Sequence, residues 1–192
     1  MAYAPVALFA FHRPDHLRRC LESLAACAEA ASTDLTVFCD GPRSDAYRPA
    51  VDEVRRVAHA AEGFATVRVV EQDSNRGLAR SLIAGVTAVL QESERVIVVE
   101  DDLVVAPDFL RYLNEALDLY AADDAVASIH AFALETENPL PATYFLRGAD
   151  CWGWATWRRG WEVFDADGAS LLARLRATGQ EVAFDVHGAY PS

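Results

Sequence analysis

Several common catalytic and binding motifs are missing from this sequence of 192 residues. It has neither the Gly-x-x-x-x-Gly-Lys-Ser/Thr motif of phosphate-binding loops nor the Gly-x-Gly-x-x-Gly motif of dinucleotide-binding domains. No serine stands in the Gly-x-Ser-x-Gly context of a nucleophile elbow, and the five histidines are scattered. These absences argue against a P-loop site, a dinucleotide site and a serine nucleophile.

Cysteine is scarce, and long apolar runs are absent. The four cysteines are Cys20, Cys27, Cys39 and Cys151, with no Cys-x-x-Cys pair and no histidine at zinc spacing. The longest uncharged apolar run, near residues 82–90, is too short to span a membrane, and no signal peptide is predicted. We therefore predict a cytoplasmic protein without a transmembrane segment. Peripheral attachment to the inner membrane stays open as an alternative.

Positive charge is also in short supply. With 17 basic and 29 acidic residues, the formal net charge of −12 argues against a nucleic-acid partner. An anionic substrate is still compatible with this charge, because a few arginines and a metal ion can act locally. A hydrophobic fraction of 52% with 24% charged residues is typical of a globular protein with about one domain.

The sequence is organised around the stretch Val96-Ile-Val-Val-Glu-Asp-Asp102. Its four consecutive β-branched residues predict a strand buried on both faces, as in a parallel sheet. Three carboxylates follow at the carboxyl end of this strand, where open α/β sheets bind ligands. Because adjacent carboxylates repel one another, we expect a cation beside them, and a divalent ion shared with substrate phosphates would serve. A solvated acidic loop is the alternative interpretation.

Strand and helix patterns alternate over the first 120 residues. Apolar runs predict strands at 5–11, 35–39, 65–70 and from 96. Apolar residues at helical spacing predict helices that begin at Pro14, cover about 51–61 and 78–91, and begin again at Pro107. This alternation predicts an α/β fold with a mostly parallel sheet, helices on both faces and right-handed crossovers.

The pattern changes towards the carboxyl end. Segments 126–129 and 143–146 are predicted strands, and all four tryptophans fall between Trp152 and Trp161. Trp154, Trp157, Trp161 and Phe164 have helical spacing. We predict that part of this cluster packs against the core along a helix, and that the rest forms a wall on which an apolar ring face can stack.

Polar residues follow the first, second and fourth predicted strands. His12 and Arg13 follow the first strand, Asp40 follows the second, and the acid triplet follows the fourth. Carboxylates accept hydrogen bonds from base N–H groups and ribose hydroxyls, and arginine matches phosphate oxygens. Arg76 and Arg80 stand around the start of the third helix, where backbone N–H groups also favour anions. Singly each arginine is typical of a solvated surface, whereas together they indicate a nucleotide site.

The order of these motifs resembles a known family of enzymes. Phe11-His-Arg-Pro14, Asp40, Asn75-Arg-Gly-Leu-Ala-Arg80 and Glu100-Asp-Asp102 together resemble nucleotide-sugar glycosyltransferases of the GT-A type. The resemblance is closest to family-2-like bacterial sugar transferases and to the N-acetylglucosaminyltransferase I group. It implies a single GT-A (Rossmann-like) domain over residues 1–192. Residues 1–122 would bind the nucleotide sugar, and residues 123–192 would form an acceptor-side part that is incomplete at its carboxyl end.

The resemblance also implies a reaction: a metal-dependent, inverting transfer of a hexosyl or N-acetylhexosaminyl group to a saccharide or other hydroxyl acceptor. It implies roles for single residues as well. Asp102 would bind Mn²⁺ or Mg²⁺ directly, and Glu100 and Asp101 would contact ribose, sugar or metal-bound water. Asp40 would hold the base or ribose. The other nucleotide-site residues would be Phe11, His12, Arg13, Asn75, Arg76 and Arg80, and the acceptor-side residues would be Trp152 and Trp154.

The catalytic base is not identified by the resemblance. The remaining candidates are Asp150, Glu162, Asp165 and Asp185, and Asp150 and Asp165 would be tested first. Two alternative functions stay open: a nucleotide-sugar-binding module that does not transfer, and a nucleotidyltransferase that makes the sugar nucleotide. The second lacks support from a glycine-rich, lysine-bearing loop near the amino terminus.

Overall fold

A computed structural model describes residues 3–132, 141 and 143–185. The chain divides into two compact units. The first comprises residues 1–132 and 150–161, and the second comprises residues 133–149 and 162–192. No helix in the part of the chain that the structure describes is long and apolar enough to cross a membrane.

The first unit contains one sheet and the helices that cover it. Its strands are β1 (Val6–Ala10), β2 (Asp34–Cys39), β3 (Thr66–Glu71), β4 (Arg95–Glu100), β5 (Ser128–His130) and β6 (Trp154–Trp157). Its helices are α1 (Pro14–Ala25), α2 (Arg48–His59), α3 (Leu78–Glu92), α4 (Phe109–Leu119) and the four-residue α5 (Arg158–Trp161). Short 3₁₀ helices cover Ala30–Ser32 and Asp45–Tyr47.

The six strands have the order β3-β2-β1-β4-β6-β5. Strands β1 to β4 run parallel to one another, whereas β6 runs antiparallel to both β4 and β5. Strand β1 lies between β2 and β4, so the carboxyl ends of these three parallel strands share one edge of the sheet. This arrangement confirms the predicted mostly parallel sheet of an α/β fold.

Alternate residues of the central strands enter two separate hydrophobic clusters. In β4, Ile97 and Val99 pack with residues of α1, α2 and α4, and Val96 and Val98 pack with residues of α3. All four side chains are fully buried. The uninterrupted apolar run of β4 therefore has the predicted explanation, because helices cover both faces of this strand.

Two sequence predictions for the carboxyl-terminal third are wrong. Residues 143–146 do not form a strand. Trp154 and Trp157 lie in β6 and not on a helix, so they face opposite sides of the sheet. Trp157 packs in the larger cluster, and its Nε1 donates to the carbonyl oxygen of Leu117 at 3.2 Å. The helical spacing was misleading because a four-residue strand with tryptophan at each end gives the same interval.

The second unit contains two described helices, α6 (Gly168–Ala177) and α7 (Glu181–Phe184). Asp167 caps α6, since its Oδ1 accepts from the backbone nitrogens of Ala169 and Ser170, both at 3.1 Å. Arg176 Nε donates to Glu181 Oε1 at 3.0 Å and joins the two helices. Leu171 and Leu175 lie within α6.

Candidate functional site

An arginine and two aspartates meet at the carboxyl edge of β1 and β4. Arg13 directly precedes α1, and its Nη1 donates to Asp102 Oδ2 at 3.0 Å. Its Nη2 donates to Asp101 Oδ1. Asp101 is only 2% exposed, and its Oδ2 has no hydrogen-bond partner among the described residues. The structure thus joins two predicted site segments that are almost ninety residues apart in sequence.

Negative charge exceeds positive charge at this edge. Burial raises the pKa of Glu100, and the charges of Asp102 and Asp101 add to the rise. Burial also raises the pKa of Asp101, against the opposing hydrogen bond and charge of Arg13. One guanidinium therefore compensates three neighbouring carboxyl groups only in part.

These residues fit a divalent ion that is completed by a ligand. In the described part of the chain, no group of three or more His, Cys, Asp or Glu side chains is arranged to hold a metal by itself. Mg²⁺, however, is commonly bound by one or two carboxylates together with substrate phosphates. The unpartnered Asp101 Oδ2 and the half-exposed Asp102 are oxygen donors of this kind.

Asp40 holds the turn that leads into α3. Its Oδ1 accepts from the backbone nitrogens of Gly41 at 2.9 Å and Arg76 at 2.8 Å. Its Oδ2 accepts from Asn75 Nδ2 and from the backbone nitrogen of Gly77, both at 2.9 Å. These four bonds use the acceptor capacity of the carboxylate. The predicted contact with base or ribose stays a prediction.

The two arginines predicted at the start of α3 are exposed, in contrast to the buried Asp40. Arg76 and Arg80 have exposed side chains that make no ion pair with other described residues. A cavity of about 190 Å³ lies beside the turn between β2, β3 and α3. Asp40, Gln72, Arg76 and Ser81 provide its polar lining. The cavity and the two arginines lie next to the Asp40-held turn.

An aromatic cluster lies at the end of β1, and only part of it was predictable from the sequence. The rings of Phe11 and Tyr47 stack at a centroid distance of 5.7 Å and an angle of 23°. His12 packs edge-on against Tyr47, and the guanidinium carbon of Arg43 lies 5.1 Å from the centre of the Phe11 ring. Tyr47 and Arg43 were missed because they lie in the irregular β2–α2 connection, which has no motif of its own.

The two predicted acceptor-side tryptophans have different environments. Trp152 is 51% exposed, and its ring meets Phe132 edge-to-face at 4.5 Å. Trp154 packs with Trp161 and the smaller hydrophobic cluster. Trp154 pairs with Val98 of β4, so this segment lies beside the strand that leads to Glu100, Asp101 and Asp102, here called the acid edge. Only Trp152 of the pair therefore offers a largely open ring.

The candidate bases also differ in surroundings. In the first unit, Asp150 Oδ1 accepts from the backbone nitrogen of Trp152 at 2.7 Å, and the Asp150 backbone contacts His130 Nδ1. In the second unit, Asp165 Oδ1 accepts from the backbone nitrogen of Asp167 at 2.9 Å. Glu162 and Asp185 also belong to the second unit.

The family model described as "Glycosyltransferase like family 2" matches residues 4–153. The chain belongs to this family. The match includes every strand of the glycosyltransferase sheet except β6, and it includes the whole Arg13–Asp101–Asp102 cluster. The predicted resemblance to family-2-like glycosyltransferases is thereby confirmed.

Solved structures of three other proteins are similar to this glycosyltransferase-family chain. The mannosyltransferase PcManGT from Pyrobaculum calidifontis, in complex with GDP-Man and Mn²⁺, is 20% identical over 68% of this chain and 36% of its own, with a TM-score of 0.48. The galactosyltransferase LgtC, in complex with donor and acceptor sugar analogs, is 14% identical over 90% of this chain and 65% of its own, with a TM-score of 0.47. TarS from S. aureus is 15% identical over 61% of this chain and 20% of its own, with a TM-score of 0.41. The chain spans less than two thirds of each, and family membership rests on the family model.

Proposed function

We propose that this chain binds a nucleoside-diphosphate sugar at the carboxyl edge of β1, β2 and β4 and transfers the sugar to an acceptor hydroxyl. The observation that carries the proposal is the Arg13–Asp101–Asp102 cluster in a chain of this family. Oxygen donors for a metal and a guanidinium for phosphate lie side by side there. Each of them compensates the negative charge of a diphosphate.

The proposed roles follow the positions of the side chains. Asp102 would bind Mn²⁺ or Mg²⁺, with Glu100 and Asp101 beside it. Phe11 and Tyr47 would stack with the base, because every nucleobase has an aromatic face. The exposed Arg76 and Arg80 would attract the diphosphate, while Asn75 and Asp40 hold the turn between them. His12 would line the nucleotide pocket, and the open ring of Trp152 would contact the acceptor.

The proposed reaction is a single displacement with inversion. The acceptor oxygen forms a bond to the anomeric carbon, the bond from that carbon to the diphosphate oxygen breaks, and the acceptor proton passes to a carboxylate base. A bound divalent ion would supply charge stabilisation for the departing diphosphate. Asp150 is the first candidate for the base, because it belongs to the same unit as the acid edge.

The domain assignment is part of the same proposal. Residues 1–122 would bind the donor, and residues 123–192 would contribute the acceptor side. A cytoplasmic location and the transfer of a hexosyl or N-acetylhexosaminyl group are proposed with it.

A panel of UDP- and GDP-linked hexoses and N-acetylhexosamines, with and without Mn²⁺, tests the proposal. Calorimetry measures donor binding, and release of the nucleoside diphosphate is followed with and without saccharide acceptors. We expect metal-dependent binding of one donor class and acceptor-dependent release. Binding without release would support a binding module that does not transfer. Failure to bind any donor under either condition would contradict the proposal.

A further inference from the structure

Arg13 already occupies one carboxylate oxygen of Asp102, the residue proposed to bind a divalent ion. Its Nη1 lies 3.0 Å from Asp102 Oδ2, while its Nη2 is bonded to Asp101 Oδ1. A hydrogen bond from a guanidinium and coordination to a cation both use the lone pairs of a carboxylate oxygen, and like charges repel. Arg13 and a cation therefore oppose each other at this edge.

The two arms of the guanidinium are held in unequal surroundings. The Asp102 side chain is 41% exposed, whereas Asp101 is almost fully buried. Ion pairs in water are weak, and a buried carboxylate that loses its partner is strongly disfavoured. The bond from Nη1 to Asp102 is thus the one that yields easily, and the bond from Nη2 to Asp101 is the one that persists.

The backbone of Arg13 is fixed in place. Pro14 follows it at the first position of α1, and proline restricts the residue before it to extended conformations. The Arg13 carbonyl also accepts from the backbone nitrogen of Leu17 at 3.0 Å. A change of partner at Asp102 therefore requires rotation of the end of one side chain and no movement of the chain.

We propose that Arg13 is an internal counter-cation that competes with the divalent ion for Asp102 and couples metal binding to the diphosphate of the donor. Without a diphosphate, Arg13 weakens metal binding. With one, Nη1 has a second anionic partner in the phosphate oxygens, so that Asp102 becomes available to the metal. This inference rests on the proposed function, since it assumes that a nucleotide diphosphate binds at this edge.

The test is Mn²⁺ binding to the whole chain without nucleotide, followed by electron paramagnetic resonance of free Mn²⁺. Arg13→Gln removes the charge and keeps most of the side-chain length. We expect this variant to bind Mn²⁺ about tenfold more tightly than the wild type, a difference of about 1.4 kcal/mol. We also expect UDP or GDP to increase Mn²⁺ affinity in the wild type by more than in the variant.

Two further variants control the measurement. Arg18→Gln also removes an arginine from α1, but Arg18 pairs with Asp15 and Glu53 and not with the acid edge, so Mn²⁺ affinity should not change. Arg13→Lys keeps a charge beside Asp101, which protects the fold, but it lacks the fork that reaches both aspartates. It should give an intermediate increase in Mn²⁺ affinity, even if Arg13→Gln does not fold.

The results separate this inference from the proposed function. If wild type binds nucleotide and Mn²⁺ together but neither Arg13 variant binds Mn²⁺ more tightly, the competition is refuted and the donor site stands. If no form binds Mn²⁺ with or without nucleotide, the competition and the proposed metal role of Asp102 are both refuted, whereas the donor site is tested by nucleotide binding alone. A gain in the Arg13 variants that disappears when Asp102→Asn is added would establish the competition.

Discussion

Asn75 donates from its side-chain nitrogen to Asp40 Oδ2 at 2.9 Å, across thirty-five residues of sequence. The same carboxylate accepts from the backbone nitrogens of Arg76 and Gly77. Gly77 has a φ of +80°, a conformation that residues with side chains rarely adopt. A single buried carboxylate thus fixes the turn that brings Arg76 and the start of α3 to the sheet edge.

Replacing Asp40 with alanine should destabilise this turn. Each buried donor left without a partner costs about 1–3 kcal/mol, so the free energy of unfolding in urea should fall by at least this amount. Hydrogen exchange at the backbone amides of Arg76 and Gly77 should accelerate. The matched control is Asp45→Ala, because Asp45 is exposed and its side chain bonds only to Arg48 among the described residues. An unchanged exchange rate at both amides would contradict the role of Asp40 in the turn.

A separate measurement addresses the predicted contact of Asp40 with the nucleotide. Asp40→Asn replaces an oxygen that accepts from the turn with an amide nitrogen that cannot accept, so it weakens both the turn and the predicted contact with base or ribose. Affinity for the free nucleoside diphosphate should therefore fall by roughly 1–3 kcal/mol. Calorimetry on folded protein gives the answer. An unchanged affinity would leave Asp40 with the turn as its only role.

Asp102→Asn should remove the metal dependence of nucleotide binding. The neutral amide is a poor ligand for a hard divalent ion, so Mn²⁺ should no longer increase the affinity for UDP or GDP. The fold should persist, because Asp102 is half-exposed and its ion pair with Arg13 is a weak one. Calorimetry with and without Mn²⁺ is the measurement, and Asp108→Asn serves as the control at a nearby exposed aspartate. Equal metal dependence in wild type and Asp102→Asn would disprove the assignment.

Gly85→Ala should destabilise the chain by about 1–3 kcal/mol, as overpacking of a core does. A Cβ atom at Gly85 would lie 2.6 Å from Phe9 Cε1 and 3.2 Å from Phe38 Cδ2. Those two rings are buried and stacked at 5.0 Å, so neither can turn away freely. Helix propensity alone predicts the opposite sign, since alanine exceeds glycine by about 1 kcal/mol in a helix. The free energy of unfolding in urea decides whether overpacking or helix propensity dominates. Ala84→Ser on the exposed side of α3 is the control.

The stability contributed by His130 should decrease as the pH falls. Burial lowers the pKa of His130, against the opposing hydrogen bond and charge of Asp150. Below the ordinary histidine pKa of about 6.5, the unfolded chain therefore binds more protons than the folded chain, which favours unfolding. The stability advantage of wild type over His130→Gln should be largest above pH 7 and shrink towards pH 5. Parallel pH profiles of the two proteins would contradict this.

The parallel part of the sheet was predictable because its signals are local. Strand β4 is covered by helices on both faces, and this leaves an unbroken run of β-branched residues in the sequence. The antiparallel β6 was not predictable in the same way. Its pairing with Val96 and Ile97 joins segments about sixty residues apart, and nothing in its four residues specifies that partner.

The candidate site shows the same division. The positions of Asp40 and the acid triplet follow from where their strands end. Their partners do not, because Arg13 reaches Asp101 through the packing of α1, and Asp40 meets a turn more than thirty residues away. The Phe11–Tyr47 stack depends on an irregular connection, for which sequence periodicity gives no signal.

Strand β6 also has a consequence for how the chain is made. β6 separates β4 from β5, and β5 has no other strand partner in the described residues. During synthesis from the amino terminus, the outer edge of β4 stays unpaired until residues 154–157 have emerged. An unpaired apolar edge is a template for association with other chains. A shortened chain that stops at residue 153, where the family match ends, would keep this edge open permanently.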